Sequence, residues 1–227
     1  YPWLEAKGVA RFFGDPTPIQ RNYLLTEFRE NAKVEGIRAS VHIQVGAADP
    51  VGEAEWIDSI AQANPDWPLV QVVYCDLTSK SLDKELDLIQ KISSVRGVRQ
   101  IVGRSSDEDT KSGTNDLLIS SAFRDGLVEL GKRNLSFDLQ LTPTLMEQAA
   151  KVMSSAPDTK VALICVPNPE SPNRCCNTTS KPSTEPDSKL RGLVISNIAN
   201  GSALVPSINP GLHLHQPPSL QFGELPP

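Results

Sequence analysis

The stretch RASVHIQVGAADPVGEAEW, residues 38–56, decides the fold class, because it begins as a strand and ends as a helix. In its first part, residues 38–45, apolar and polar side chains alternate, as they do in a β-strand. Asp49 and Pro50 then open a helix, with proline at the first helical position. Apolar residues follow at helical spacing: Val51, Ala54, Ile57, Ile60 and Ala61. The stretch therefore predicts a strand and a helix that packs on one side of a sheet.

The same unit recurs up to about residue 166. Four further apolar, β-rich runs lie at 69–77, 95–102, 135–142 and 160–166. Helical patterns alternate with these runs, and their start signals are Thr17-Pro18 with Gln20, Ser81, and Thr142-Pro143. A further helical pattern runs from residue 116 to residue 133 without a separate start signal. Strands that alternate with helices in this way form a parallel sheet.

Two architectures fit this alternation, a (β/α)8 barrel and a doubly wound open sheet. No G-x-G-x-x-G follows any of the strands, and no G-x-x-x-x-G-K-[ST] is present. The nucleotide-binding forms of the open sheet are therefore disfavoured, while the pattern alone leaves both architectures open.

The pattern changes after residue 166. Eleven of the 19 prolines fall between Pro167 and Pro227, and the segment shows no helical or strand periodicity over most of its length. Such a segment buries too little apolar surface to offset the entropy of ordering. We therefore predict a folded domain at 1–166 and an irregular tail at 167–227.

Composition excludes two kinds of partner. The formal net charge of -5 provides no basic footprint for nucleic acid. No window reaches 18 consecutive apolar residues, so we expect no membrane span.

The N-terminus lacks the pattern of a signal peptide, and Cys75 and Cys165 lie in apolar runs, as buried reduced thiols do. These features predict a cytoplasmic location.

Six segments resemble a known family when they are taken in order. They are YPWLEA, DPTPIQRNYLL, ASVHIQ, DPVGEAEWI, VRGVRQ and LSFDLQ. Together they are similar to amidohydrolase-related proteins, in the sugar-lactonase and pyrone-dicarboxylate-lactonase branch of the metal-dependent-hydrolase barrels. The resemblance covers residues 1–165. It implies a partial (β/α)8 TIM barrel comprising strands two to six, a small-molecule substrate, and hydrolysis of a lactone, ester or amide with water as the nucleophile.

The chain departs from this family where the family holds its catalytic groups. The family's His-x-His pair on the first strand would precede Tyr1, and Cys165 stands where a histidine is expected on the sixth. No match to the late catalytic aspartate follows residue 166. His213 and His215 form a His-x-His in the tail, where nothing would orient them as ligands. We therefore expect a truncated or mis-spliced, inactive version, without a metal site; a divalent metal such as zinc would belong to a complete parent enzyme.

Four residues are candidates for substrate binding: Arg99, His42, Gln44 and Asp138. The period of two puts His42 and Gln44 on one face of their strand, which we assign to the inside of the barrel. An arginine inside an apolar strand needs a partner, because a buried unpaired charge is costly. At a strand end, Arg99 suits a grip on a substrate carboxylate or lactone oxygen. Asp138 shares a face with Gln140 on a later strand and could orient a ligand.

Each candidate also has a structural alternative. His42 could be a core histidine paired with a carbonyl, and Arg99 could form an ion pair with Asp76 or Asp138. No G-x-S-x-G and no H-E-x-x-H is present, so we assign no catalytic residue. The alternative function is therefore a non-catalytic α/β fragment or a ligand-binding remnant.

Overall fold

The structure is a computed structural model that describes residues 1–8, 15–104 and 106–165. Its described part contains five strands, all parallel, in the order β1-β2-β3-β4-β5. Their bounds are β1 Ser40–Ile43, β2 Leu69–Tyr74, β3 Val95–Ile101, β4 Ser136–Leu141 and β5 Val161–Cys165. The predicted tail, 167–227, lies outside the described residues.

The strand order distinguishes the two architectures that the sequence leaves open. In a doubly wound open sheet the strand order reverses at one point. Here each strand pairs with the next one in the chain, and the sheet curls into half a barrel with helices on its outside. The predicted partial (β/α)8 barrel is confirmed, and the open sheet is excluded.

Seven helices accompany the strands in the described ranges. They are α1 Pro2–Glu5, α2 Leu25–Val34, α3 Pro50–Ala63, α4 Leu82–Ile89, α5 Ser106–Ser112, α6 Ser121–Lys132 and α7 Met146–Met153. The predicted start of α3 is confirmed, since the Asp49 carboxylate accepts a hydrogen bond of 2.9 Å from the backbone N–H of Gly52. None of these helices is long and apolar enough to cross a membrane.

The predicted start of α2 is wrong. Pro18 lies in a single 3-10 turn, Thr17–Ile19, and the α-helix begins only at Leu25. The Thr17 hydroxyl donates to the Asp15 carboxylate at 2.7 Å, and the Gln20 amide donates to the carbonyl of Leu4 at 2.6 Å. Both side chains of the predicted capping box are therefore engaged elsewhere, and no helix starts there.

Two further helices begin later in the chain than the sequence predicts. The run that ends at Lys132 breaks at Ser120, whose hydroxyl accepts a hydrogen bond from the backbone N–H of Phe123 at 3.3 Å and caps α6. A 3-10 turn, Pro143–Leu145, likewise separates Thr142 from α7.

The hydrophobic core lies between the outer face of the sheet and the helices. Phe123, Leu127 and Leu130 of α6 are fully buried, as is Phe137 of β4. The rings of Phe123 and Phe137 meet edge to face, with centroids 5.7 Å apart. Burying each such side chain contributes roughly 1.5–3 kcal/mol. This packing fixes the outer face of the sheet and leaves the other face for a site.

Candidate functional site

The register of the strands determines which side chains share the inner face of the sheet, the face turned away from the helices. Val98 is aligned with Phe137, and both belong to the core on the helix side. The next residues along each strand, Arg99 and Asp138, are aligned with each other and therefore lie on the inner face. Gln140 follows Asp138 on the same face. Active sites of β/α barrels form at the carboxyl ends of the strands. This row of inner-face residues runs towards those ends.

Arg99 is buried, with 3% of its surface exposed. Its Nη1 donates a hydrogen bond of 2.7 Å to the backbone carbonyl of Gln44, across the intervening strand β2. Its Nε is buried and has no hydrogen-bond partner. Burial lowers the pKa of Arg99, the charge of Asp138 opposes this effect, and Arg104 adds to it. Arg99 is therefore a buried positive charge, and its Nε is a hydrogen-bond donor that is not used.

Asp138 is equally buried, with 2% of its surface exposed. Its Oδ2 has no hydrogen-bond partner, although Arg99 is its direct neighbour on β3. Burial raises the pKa of Asp138 to about 6, and the attraction of Arg99 offsets part of this rise. Asp76, the other predicted partner of Arg99, accepts hydrogen bonds from Thr78 and Gln100 instead.

Four buried polar side-chain atoms of the described residues have no hydrogen-bond partner. They are Arg99 Nε, Arg104 Nε, Asp138 Oδ2 and Gln140 Oε1. We call these four residues the inner-face cluster. A buried polar atom without a partner costs about 1–3 kcal/mol, so native proteins seldom retain several in one place without a ligand or water. Two donors and two acceptors in neighbouring segments are thus available to hydrogen-bond with a polar ligand or with water.

Arg104 is the member of the cluster that the sequence does not single out. It follows the end of β3, and hydrogen bonds with the side chain of Asn115 hold its backbone N–H, at 2.9 Å, and its carbonyl, at 3.4 Å. Its guanidinium lies 4.0 Å from the carboxylate of Glu108. The available signal is an arginine just after the carboxyl end of a predicted strand, the place where barrel sites form.

His42 does not lie where the alternation predicts. It is aligned with Gln71, whose amide donates to the carbonyl of Ala54 on α3 at 2.9 Å. Its own Nε2 lies 3.1 Å from Oε1 of Glu53, also on α3. Both side chains thus point to the helices, and the prediction that His42 faces the inside of the barrel is wrong. A period of two groups residues by face, but it does not say which face is inside.

Glu53 links His42 to the N-terminal segment. The Tyr1 hydroxyl donates to the same carboxylate oxygen at 2.5 Å, and the Glu53 side chain is only 7% exposed. Burial by itself would raise the pKa of Glu53, but hydrogen bonds from His42 and Tyr1 outweigh it and hold the pKa below its usual value. This cluster fastens α1 and α3 to β1.

Gln44 contacts the inner-face cluster through its backbone carbonyl. It lies just beyond the end of β1, and its carbonyl accepts the hydrogen bond from Arg99. Its backbone N–H donates to the carbonyl of Val72 at 3.0 Å, and its side-chain oxygen accepts from the N–H of Gly46 at 2.8 Å. Gln44 is therefore a rigid support for Arg99.

The described residues do not fit a zinc site. They contain no group of three histidine, cysteine, aspartate or glutamate side chains placed to hold a metal ion. His42, the single histidine of these ranges, is turned to α3. The side chain of Cys165, the pair Cys175-Cys176, and His213 and His215 lie outside the described residues.

Comparison with known proteins gives one related sequence and a clear structural likeness. No protein-family model matches the chain. The uncharacterized protein y4mH of Sinorhizobium fredii is 32% identical over 167 residues, which are 72% of this chain and 56% of that protein. The chain thus spans little more than half the length of this relative.

The likeness to solved structures concerns an amidohydrolase from Burkholderia multivorans. Its zinc-bound crystal structure has a TM-score of 0.56 and 15% sequence identity, covering 72% of this chain and 51% of the amidohydrolase. A second crystal form of that protein gives the same TM-score with 16% identity. At this level of identity the comparison establishes the fold. The described residues therefore have the fold of about half of an amidohydrolase barrel, which confirms at the level of the fold the resemblance seen in the sequence.

Proposed function

We propose that this chain is part of an amidohydrolase-related hydrolase of the lactonase-like branch. Its substrate is a small lactone or a related ester or amide, and water is the nucleophile. The observation that carries the proposal is the inner-face cluster, with its buried unpartnered donors and acceptors leading to the carboxyl ends of β3 and β4. The chain spans about half the length of its relatives, so the activity proposed is that of the whole protein.

In this proposal Arg99 holds the carbonyl oxygen of the substrate. Gln44 fixes the guanidinium through Nη1, which leaves Nε free to donate. A fixed cation beside a carbonyl oxygen stabilises the negative charge that develops there when water attacks. Asp138 and Gln140 provide acceptors for a substrate hydroxyl or N–H group. His42 contributes indirectly, because with Glu53 it secures α3 against β1.

The second candidate is a ligand-binding remnant without turnover. The orientation of His42 favours it, since this imidazole faces α3 and is not available to activate water on the inner face. On this second candidate, the chain as given binds its ligand but does not turn it over. Binding of a divalent metal such as zinc would need ligands from beyond the described residues, which contain no group of three metal-binding side chains.

A comparison of two arginines on the same strand tests both candidates. Arg99 is buried on β3, whereas Arg96 is exposed on the same strand. The wild type, Arg99→Ala, Arg99→Lys and Arg96→Ala are assayed on a panel of sugar lactones, with and without added zinc, and lactone binding is measured by calorimetry. Loss of one charge-assisted contact corresponds to about ten- to a hundredfold in kcat/KM, or in Kd where no turnover occurs.

The pattern of effects separates the candidates. Turnover that falls on changing Arg99 but not Arg96 supports the hydrolase, and binding without turnover that depends on Arg99 supports the remnant. Equal effects of the two arginines, or wild-type protein that neither binds nor hydrolyses any lactone, would contradict both. Circular dichroism of each variant checks that the fold is retained.

A cytoplasmic location is also part of the proposal. Cys75 is a free, buried thiol. Burial, together with the charge of Glu85, raises its pKa to about 12, so the thiol stays protonated and unreactive. Unpaired thiols of this kind are typical of reducing compartments.

A further inference from the structure

We infer that Asp138 sets the charge of the ligand that the inner-face cluster holds. With its carboxyl protonated, the cluster takes a carboxylate; with its carboxyl ionised, the cluster takes a neutral carbonyl compound. The inference rests on the proposed function in placing a ligand beside Arg99, and it makes Asp138 a specificity-determining residue of that site.

The first support is the arrangement of Arg99 and Asp138. The two residues are direct neighbours in the register of β3 and β4, and both are at least 97% buried. Arg99 Nε and Asp138 Oδ2 nevertheless have no hydrogen-bond partner. The pair is therefore close enough for its charges to interact, while each member keeps an unused polar atom for a third group.

The second support is the set of charges around Asp138. β3 places the cation of Arg99 beside Asp138, and β2 aligns Tyr74 with Arg99. Arg104, after β3, acts on Arg99 and lies 4.0 Å from the carboxylate of Glu108. On the other side, β5 places Ala162 beside Asp138, and the end of β1 contributes the backbone carbonyl of Gln44. With Glu108 counted beside Arg104, these groups carry a formal charge of about one positive unit with Asp138 neutral and about zero with Asp138 ionised.

A carboxylate ligand would compete with ionised Asp138 for the same cations. Two carboxylates that share one buried site disfavour each other's ionised form, so one of them takes up a proton. Burial already raises the pKa of Asp138 to about 6, against the attraction of Arg99. This carboxyl can therefore take up a proton near neutral pH. Binding of an anion is coupled to this proton uptake.

The coupling between anion binding and protonation of Asp138 affects how lactone substrate and product bind. The substrate is neutral, whereas the product is a hydroxy acid that ionises to a carboxylate. With Asp138 ionised, the cluster favours the neutral substrate over the anionic product. The same residue thereby promotes product release at neutral and higher pH and retains the product under acidic conditions.

The test measures binding of two small probes that differ in charge. Glycolate stays ionised between pH 5 and pH 8, and glycolamide is its neutral analogue. Calorimetry is performed with the full chain as wild type, as Asp138→Asn, and as Asp107→Asn, which removes an exposed carboxylate on α5. For wild type and Asp107→Asn, glycolate affinity should fall about tenfold for each pH unit above 6, and glycolamide affinity should not fall.

Asp138→Asn should bind glycolate with an affinity that does not change across this pH range. If this variant does not fold, wild-type titrations in two buffers of different ionisation enthalpy measure the proton uptake directly. About one proton per bound glycolate at pH 8 is expected. Glycolate binding that is independent of pH, uptake of no proton, or no glycolate binding at pH 5 would overturn the inference. Failure to hydrolyse lactones would bear on the proposed function alone, because these measurements require no turnover.

Discussion

Replacing Asp138 by asparagine should stabilise the folded protein at pH 8. Burial raises the pKa of this carboxyl from its ordinary 3.8 to about 6, even with Arg99 beside it. Ionising the carboxyl therefore costs about 3 kcal/mol more in the folded than in the unfolded chain. Asparagine has nearly the same shape and cannot ionise, so this cost is absent from the variant.

The sign of the pH dependence follows from the raised pKa. Below about pH 3 the carboxyl is protonated in both folded and unfolded chains, and the two proteins should be similarly stable. Between about pH 4 and pH 6 the unfolded chain has released this proton while the folded wild type still holds it, so the wild type loses about 3 kcal/mol of stability through this group, and the loss is complete just above pH 6. Asp138→Asn should therefore gain on the wild type between pH 4 and pH 7 and keep that gain at pH 8.

Urea unfolding at pH 4.5 and at pH 8 measures the difference between the two proteins. Using the difference is essential, because several other carboxylates have lowered pKa values and change wild-type stability in the opposite direction. Asp76→Asn is a suitable control. Burial alone would raise the pKa of Asp76, but hydrogen bonds from Thr78 and Gln100 hold it below its ordinary value. That variant should therefore lose stability at pH 8.

One result would refute this reasoning. If Asp138→Asn proved less stable than the wild type at pH 8, the attraction between Asp138 and Arg99 would outweigh the cost of burying the two charges. Asp138 would then be a structural ion-pair partner, which is the alternative that the sequence leaves open.

Two further substitutions test the packing that supports the site. Asp58→Ala should cost about 1–3 kcal/mol in urea unfolding, because this carboxylate of α3 accepts hydrogen bonds from the N–H and hydroxyl of Ser94, at 2.8 and 2.6 Å, just before β3; unchanged stability would show that α3 is held to the sheet by other contacts. Gly126→Ala should cost about 1–3 kcal/mol by overpacking, since its Cβ would lie 2.5 Å from the backbone oxygen of Leu77. Glycine to alanine in a helix interior otherwise gains about 0.5–1 kcal/mol, so a measured gain would contradict the close approach.

The strands were the most predictable part of the fold. Apolar runs long enough for strands, separated by helical patterns, placed all five within three residues of their bounds; the run at 95–102, for example, contains Val95–Ile101. The pattern does so because burial on both faces requires consecutive apolar residues in a parallel sheet. It did not distinguish the barrel from the open sheet, since that difference lies in strand order, which local periodicity does not record.

Helix starts were less predictable because capping residues have competing partners. Asp49 caps α3 as expected, with Gly52 as its donor. Thr17 has an equally suitable sequence context, but its hydroxyl donates to Asp15 and no helix begins there. A capping residue starts a helix only when its side chain forms a hydrogen bond with the helix backbone. The sequence shows that this bond is possible but not that it forms.

The residues of the candidate site could be predicted in part from the sequence, whereas the orientation of His42 could not. Arg99 and Asp138 stand out as charges in apolar strands, and the structure aligns them on neighbouring strands. His42 stands out for the same reason, but Glu53 on α3 offers it a partner and draws it to the helix side. The alternation of side chains groups His42 with Gln44, yet only tertiary contacts decide which face becomes the inside of the barrel.

The two experiments on Asp138 constrain each other, because one ionisation underlies both. The stability difference between wild type and Asp138→Asn should stop growing at the same pH, near 6, at which glycolate affinity begins to fall. Agreement of these two pH values would mean that the carboxyl that titrates is the one that faces the ligand. A stability difference that levels off near pH 6, with glycolate binding independent of pH, would show that Asp138 titrates but has no contact with the ligand. Arg99 would then hold the ligand without help from Asp138.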